Sequence, residues 1–229
     1  MARLPRLYAP QIPQLVQAKF SHPLATASDP TPQAKLSQLQ NWLQQEARTY
    51  NVALHGWLLL NDRITLLATP ADTLSLSRLI QALGRRMATH MRHGRVFTGR
   101  YRSTLVEPGH WVLPVLVWLE SLPVQLDYVD RAEQWPWSSA AEHMGASPGK
   151  LALITDHIDY WQDGNTPFAR QARYRERMQQ GLSAAQSLRI EQALFGQWVL
   201  GEAVFLAGLE TLASRRIAPA QRGRPKKDA

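Results

Sequence analysis

The chain has 229 residues, of which 45% are hydrophobic and eight are Trp, so it can bury a sizeable core and global disorder is not expected. It contains no Cys, which excludes disulfides and cysteine-bound metals, and no apolar run reaches the ~18 residues of a membrane span. A formal net charge of +8 favours a polyanionic partner over a merely basic surface. Since the first residues lack the apolar core of a signal peptide, we expect a cytoplasmic protein that contacts nucleic acid and no membrane.

The first predicted elements are a strand over residues 14–20 and a helix over residues 32–50. The strand follows a proline-containing lead-in, and residues 23–32 form a loop rich in turn-forming residues. The helix is predicted from apolar residues that recur at helical spacing, namely Leu36, Leu39, Trp42, Leu43 and Ala47.

Residues 54–70 are predicted to form two strands joined by a tight Asn61-Asp62 turn. Because successive side chains of a strand point to opposite faces, the second strand divides into two sets. One face carries Arg63, Thr65, Leu67 and Thr69, and the other carries Ile64, Leu66 and Ala68.

The stretch that follows is basic, and its residues 74–91 are predicted to form an amphipathic helix. Between Thr73 and Val106 there are seven Arg and no acidic residue. They are Arg78, Arg85, Arg86, Arg92, Arg95, Arg100 and Arg102. Solvated surfaces usually mix both signs of charge. The absence of acids therefore favours contact with DNA phosphates, and a solvated face is the alternative.

A fourth strand is predicted over residues 99–106 and a helix over residues 111–122. The order strand, helix, strand, strand, helix, strand, helix fits an α+β fold, a ferredoxin-like sandwich with a central antiparallel sheet backed by helices. Trp135 and Trp137, which flank Pro136, are interpreted as a packing clamp, with a binding platform as the alternative.

The chain is predicted to divide into three parts. Residues 1–149 form the α+β domain, residues 150–214 a helical C-terminal extension, and residues 215–229 a basic disordered tail. The tail carries Arg222, Arg224, Lys226 and Lys227 as candidate DNA contacts. Its Gly-Arg-Pro core is either an AT-hook, which inserts Arg into the minor groove, or part of a generic basic tail.

Four short segments resemble the motifs of one family. Residues 61–67 keep the frame of Pro-Asn-His-hydrophobic-His-Leu-Leu, and residues 99–106 match Gly-Arg-Tyr-Lys-Ser-Ser-Leu-Val. Residues 135–139 match Tyr-Pro-Trp-Ser-Ser, and residues 117–124 align with Arg-Tyr-Ile-Glu-Leu-Asn-Pro-Val. The first 145 residues therefore resemble the REP-associated tyrosine transposases, which are HUH-type enzymes that act on single-stranded DNA. The resemblance implies the ferredoxin-like HUH fold and recognition of short palindromic hairpins with adjacent single-stranded bases.

The resemblance also implies where the chemistry of the family would lie. The family holds a divalent metal on two His and an amide, and a helix-borne Tyr attacks the DNA phosphate. Here Arg63 and Thr65 occupy the His positions, Trp118 the Tyr position and Leu122 the amide position. Arg cannot lose its proton to bind a metal, and Trp has no hydroxyl. We therefore expect no metal cofactor and no catalytic residue there, and we expect the charge of Arg63 to replace that of the metal against a phosphate.

The leading hypothesis is a domesticated, catalytically inactive, transposase-derived protein that binds hairpin or single-stranded DNA without cleaving it. An active transposase or nickase with a relocated nucleophile is the first alternative, and Tyr101 is the best candidate for that role. A relic fold used for protein–protein contact is the second alternative. A homodimer, or pairing with an active transposase, is left open. The scattered His residues form no metal-binding pair, and His55 is expected to hydrogen-bond locally.

Overall fold

The structure, a computed structural model, describes residues 5–25, 32–91, 94–146, 153–210, 213 and 215–219. Its elements up to the fourth strand are β1 (Gln14–Lys19), α1 (Gln33–Thr49), β2 (Val52–Leu59), β3 (Arg63–Pro70), α2 (Ser75–Met91) and β4 (Arg102–Leu105). The later helices are α3 (Val112–Gln125), α4 (Ala140–His143), α5 (Ile158–Gln162), α6 (Pro167–Gln180), α7 (Ala184–Gly196) and α8 (Ala203–Glu210). In these ranges no helix is both long and apolar enough to cross a membrane.

The predicted order of strands and helices is confirmed, with shifts at the ends of some elements. β4 is shorter than predicted because only its residues 102–105 pair with β1. α3 is longer than predicted because it continues through Pro123 to Gln125. The short helices α4 and α5 were not predicted, since four or five residues are too few to show a helical period.

The four strands lie in the order β2-β3-β1-β4, and every neighbouring pair is antiparallel. Helices α1 and α2 pack against each other and against β2. Their apolar stripes are fully or nearly fully buried, at Leu36, Leu39, Leu43, Leu76, Leu79 and Leu83. The predicted ferredoxin-like α+β sandwich is therefore confirmed.

The other face of the sheet is covered by α3 and α7, and we call it the α3 face. A Cβ on Gly56 of β2 would collide with the Leu116 side chain of α3, so Gly56 and its β3 partner Leu67 point toward α3. Thr104 of β4 lies in the same row and donates a hydrogen bond to the carbonyl oxygen of Trp198, just after α7.

The strand register decides which predicted side chains share the α3 face. Thr65 lies opposite Leu58 on one side and Gln17 on the other, and Gln17 lies opposite Arg102. Directly opposed residues share a face of a sheet, and so do residues two apart on one strand. Arg63 and Thr65 therefore lie on the α3 face, in agreement with the predicted alternation.

Both edges of the sheet are paired with later segments of the chain. At the β2 edge, Leu59 N donates to Trp137 O at 2.9 Å. At the β4 edge, Leu200 N donates to Leu105 O at 2.8 Å. Since an open edge is a template for pairing with other chains, these segments close the sheet on both sides.

Trp135 and Trp137 pack as predicted. Each is 6% exposed, and their rings meet edge to face with centroids 5.1 Å apart. The Trp135 Nε1–H donates to Leu59 O at 3.0 Å, which fastens the pair to the β2 edge. Their packing role is therefore confirmed.

The C-terminal helices share the core of the α+β domain. Tyr174 of α6, Leu194 of α7 and Leu200 are buried in the same apolar cluster as the strands. The predicted boundary at residues 149 and 150 lies outside the described residues, and so does residue 214. The division into three parts therefore stays a prediction.

Replacing Gly56 with Ala tests the close contact between β2 and α3. The new Cβ would overlap the Leu116 side chain, and overpacking of this kind lowers the free energy of unfolding by about 1–3 kcal/mol. Gly99→Ala is the matched control, because a Cβ at that position meets no atom within 4 Å. Urea unfolding measures both variants, and equal midpoints would show that α3 does not press on β2.

Candidate nucleic-acid interface

Arg63, which occupies the first His position of the family, is paired with its neighbour in the hairpin turn. Its Nε lies 2.8 Å from Asp62 Oδ1, and its Nη2 lies 2.7 Å from Asp62 Oδ2. The Arg63 side chain is 28% exposed and that of Asp62 is 31% exposed. A phosphate at Arg63 therefore has to compete with a bidentate carboxylate.

The other three positions are occupied by buried or packed side chains. Thr65 is fully buried, and its Oγ1 has no hydrogen-bond partner among the described residues. Trp118 is 4% exposed, and Leu122 packs against the core. None of these groups is an imidazole, a carboxylate or a phenol, so the residues present do not fit the metal and the nucleophile of the family. In the part of the chain that the structure describes, no three metal-binding side chains come together.

A buried polar cluster lies beside these positions, with Glu120 of α3 at its centre. The Glu120 carboxylate accepts hydrogen bonds from Ser139 Oγ, from His143 Nδ1 at 2.6 Å and from Tyr174 OH at 2.7 Å. Tyr160 OH donates to His143 O at 2.8 Å. Glu120 and Ser139 are two of the residues that match the family motifs, so these motifs meet in space and join α3 to α4 and α6.

The electrostatics of the cluster favour an ion pair. Burial disfavours the charged His143 imidazolium, but the charge of Glu120 and the hydrogen bond to it outweigh burial and raise the pKa of His143. Burial, followed by the Glu120 charge, raises the pKa of Tyr174 well above its ordinary value. Every member of the cluster is buried, and its hydrogen bonds join α3 to α4 and α6.

His55 hydrogen-bonds locally, as predicted. Its Nδ1 lies 2.7 Å from Thr155 O and its Nε2 lies 2.8 Å from Thr69 Oγ1. A neutral imidazole satisfies both contacts if Nδ1–H donates to the carbonyl and Nε2 accepts from the hydroxyl. Burial is the main cause that lowers the pKa of His55 to about 4.

The predicted DNA-binding arginines on α2 lie across the sheet from α3. The arginines of α2 and of the loop after it differ in whether their side chains have partners in the protein. Arg78 and Arg85 are exposed. Arg86 Nε lies 2.7 Å from Glu46 Oε1 and so ties α2 to α1. Arg95 donates to the carbonyl oxygens of Phe97 and Thr98, within its own loop. Arg92 and the tail residues lie outside the described residues, the latter being Arg222, Arg224, Lys226 and Lys227.

Arg100 and Arg102 meet two arginines that sequence analysis did not select. A cleft of about 440 Å³ at the start of β4 is lined by four arginines and two aromatic rings. We call it the arginine cleft; its lining includes Arg6, Arg100, Tyr101, Arg102, Trp198 and Arg215. Among the residues that the structure describes, no carboxylate forms an ion pair with any of the four arginines.

Three of the four guanidinium groups lie over aromatic rings. The Cζ of Arg6 is 3.6 Å from the ring centroid of Tyr101, and that of Arg102 is 4.9 Å from the ring centroid of Phe195. The Cζ of Arg215 lies 5.9 Å from the Trp198 ring centroid. Stacking of this kind holds a guanidinium in place while its edge donors stay available.

Replacing Glu120 with Gln tests the buried cluster. The substitution removes the charge that the His143 imidazolium needs, and breaking a buried pair in this way lowers the free energy of unfolding by about 3–5 kcal/mol. Glu133→Gln is the control, because Glu133 meets Arg131 at the surface and such pairs contribute about 1 kcal/mol or less. Thermal and urea unfolding measure both variants, and similar stabilities would contradict the ion pair.

Acid titration tests the neutral state of His55. The folded state holds this imidazole neutral down to about pH 4, whereas the unfolded chain protonates it near pH 6.5. Its contribution is therefore present above pH 6.5 and is lost as the pH falls to about 4, by up to about 3 kcal/mol. We expect His55→Gln to flatten the dependence of unfolding free energy on pH in this window. A pH dependence equal to that of the unmodified protein would contradict a neutral buried His55.

Comparison with known proteins places this fold. No family model matches the sequence, and no curated protein matches it. The solved structure of a REP-associated tyrosine transposase bound to a REP hairpin matches with a TM-score of 0.54 and 14% sequence identity, over 69% of this chain and 99% of that chain. A putative transposase from Deinococcus radiodurans R1 has a TM-score of 0.35 and 16% identity, over 56% of this chain and 94% of that one. On the first of these matches, the chain has the fold of a REP-associated tyrosine transposase.

Proposed function

We propose that this protein binds DNA, in hairpin or single-stranded form, and does not cut it. The observation that carries the proposal is the arginine cleft, which four arginines line and where no described carboxylate pairs with them. An arginine without an acidic partner keeps its charge and its donors available for a phosphate. The fold adds support, because a REP hairpin is bound to the solved transposase that this chain resembles.

Absence of cleavage is proposed from the side chains at the four chemical positions of the family. Trp118 is buried and has no hydroxyl, so it cannot form a covalent bond with a phosphate. Thr65 and Leu122 lie in packed surroundings, and Arg63 is held by Asp62. Arg63 remains a candidate phosphate contact only where the phosphate displaces Asp62.

A relocated nucleophile at Tyr101 has less support. Tyr101 is 6% exposed, and Arg6 covers one face of its ring. Its hydroxyl lies 3.0 Å from Ser77 Oγ, and neither group is a base that could remove the phenolic proton. These contacts favour a role for Tyr101 in packing and in orienting Arg6 over a role as the nucleophile.

Protein contact is the second candidate function. Large apolar side chains are exposed on α5 and at the start of α6, where Ile158 is 57%, Trp161 52% and Phe168 81% exposed. Exposed apolar surface of this kind is typical of a protein-binding surface.

Salt-dependent binding tests the proposed function. If about five phosphates of a hairpin with single-stranded flanks are neutralised, log K should fall against log salt concentration with a slope near −3.5 to −4.5. Joint replacement of Arg85, Arg100 and Arg102 by Ala should weaken binding to all sequences similarly, because phosphate contacts carry no sequence information. Fluorescence anisotropy measures both effects.

Two outcomes contradict parts of this proposal. A slope near zero would remove DNA as the main partner and favour protein contact through α5 and α6. A denaturant-resistant protein–DNA band in Mg²⁺ or Mn²⁺, mapped to any Tyr, would show that the protein cuts DNA with a relocated nucleophile. We expect binding without such a band.

A further inference from the structure

The arginine cleft is built from distant parts of the chain. Arg6 comes from the N-terminal segment, Arg100 and Arg102 from β4 and the bend before it, and Arg215 from the last described residues. Trp198 completes the wall from the connection that follows α7. Because Arg102 lies opposite Gln17, and Gln17 opposite Thr65, Arg102 lies about 10 Å from Thr65, two strands away.

Two of these arginines have donors that no acceptor in the described part of the chain satisfies. The Nε–H groups of Arg6 and Arg215 are shielded from solvent and have no hydrogen-bond partner. Arg6 Nη1 lies 3.4 Å from Ser77 Oγ. Arg215 donates from Nη1 to Arg216 O at 3.1 Å and from Nη2 to Gln197 O at 2.5 Å. A shielded donor without an acceptor is unfavourable, so these groups indicate a site whose acceptors come from a ligand.

The charge in the cleft is also unbalanced. Burial, together with the neighbouring Arg100, lowers the pKa of Arg6, and burial lowers the pKa of Arg215. In both cases burial withdraws the charged guanidinium from water, and no described carboxylate pairs with it. An anion bound in the cleft would offset the repulsion between Arg6 and Arg100 and would supply acceptors for the Nε–H groups of Arg6 and Arg215.

The volume and the lining residues of the cleft indicate which kind of anion it can hold. Its volume of about 440 Å³ is within the range of small-ligand pockets and is too small for a duplex stem. Trp198 is partly exposed and lines the cleft, so an aromatic ring lies beside the arginines. Guanidinium groups that follow a backbone, with an aromatic ring for a base, are typical of sites for unpaired strands.

An adjoining cleft of about 440 Å³ shares Arg6, Arg100 and Tyr101 with this one. It also contains Asp72, whose Oδ1 accepts hydrogen bonds from Leu74 N and Ser75 N at the start of α2. The carboxylate repels phosphate on that side. The phosphate site therefore lies on the side of Trp198 and Arg215.

We infer that the arginine cleft binds a phosphate of an unpaired DNA strand, with Trp198 beside one of its bases. The inference rests on the proposed function and deepens it, since it separates a site for an unpaired strand from whatever surface holds a hairpin stem. It also assigns Arg6, Trp198 and Arg215 as binding residues.

The test compares a labelled oligothymidylate with a blunt hairpin that has no single-stranded flank. Arg6→Gln combined with Arg100→Gln should weaken oligothymidylate binding at least tenfold and change blunt-hairpin binding less than threefold. Arg48→Gln combined with Arg131→Gln is the matched control, because it removes the same charge from exposed positions outside the cleft. Trp198→Leu should weaken oligothymidylate binding and leave binding of an abasic phosphodiester unchanged.

Folding of each variant is checked by circular dichroism, and Arg100→Gln alone, at an exposed position, serves if the double variant unfolds. Equal losses for the cleft variant and for the variant at Arg48 and Arg131 would overturn the inference while leaving DNA binding intact. Inorganic phosphate that saturates the cleft at millimolar concentration, with no effect of Trp198→Leu on oligothymidylate binding, would assign the site to free phosphate and also overturn it. If the unmodified protein binds no DNA at low salt, the proposed function itself fails.

Discussion

A carboxylate that is fully withdrawn from water, that of Glu120, holds the second half of the molecule against the first. An ionised carboxylate in such a position is stable only when donors surround it. The donors come from Ser139, His143 and Tyr174, which belong to the β2-edge segment, α4 and α6. Since α3 itself lies on the sheet, one anion fastens the edge segment and two helices to the α+β domain.

The position of the arginine cleft follows from that fastening. With α6 held by Glu120, α7 packs over β1 and β4, and Leu200 pairs with the β4 edge. These contacts place Trp198 and Arg215 beside Arg100 and Arg102. The buried carboxylate and the arginines of the cleft therefore differ in how the protein satisfies their charges. The buried anion is fully hydrogen-bonded, whereas the cations of the cleft remain without acidic partners in the described chain.

Most of the fold could be predicted from the sequence, because it depends on short-range patterns. The alternation around Thr65 and the apolar stripe of α2 determine strand and helix without knowledge of distant contacts. Glu120 and Ser139 could also be identified from the motifs, but the sequence does not indicate that they form a hydrogen bond with each other. A buried hydrogen bond across 19 residues leaves no periodic signal.

The candidate site could be predicted only in part. Arg100 and Arg102 were selected from their acid-free surroundings, but Arg6 and Arg215 stand at opposite ends of the chain and meet only in the fold. An arginine in a lead-in segment or a basic tail has no local pattern that separates a binding residue from a solvated one. Charge counts also do not show which arginines have a carboxylate partner. Arg86 pairs with Glu46 and Arg63 with Asp62, and each pair depends on side-chain directions that the sequence does not give.

The pairing of Leu200 with the β4 edge has a consequence for how the protein is made. β4 ends at Leu105, and its outer partner is translated about 95 residues later, which corresponds to about 5–20 s at ordinary rates of synthesis. During that interval the outer N–H and C=O groups of β4 are open to any other nascent strand. The β4 edge is therefore covered only after Leu200 has emerged from the ribosome. A chain truncated before Leu200 would keep this edge open and would be prone to aggregation.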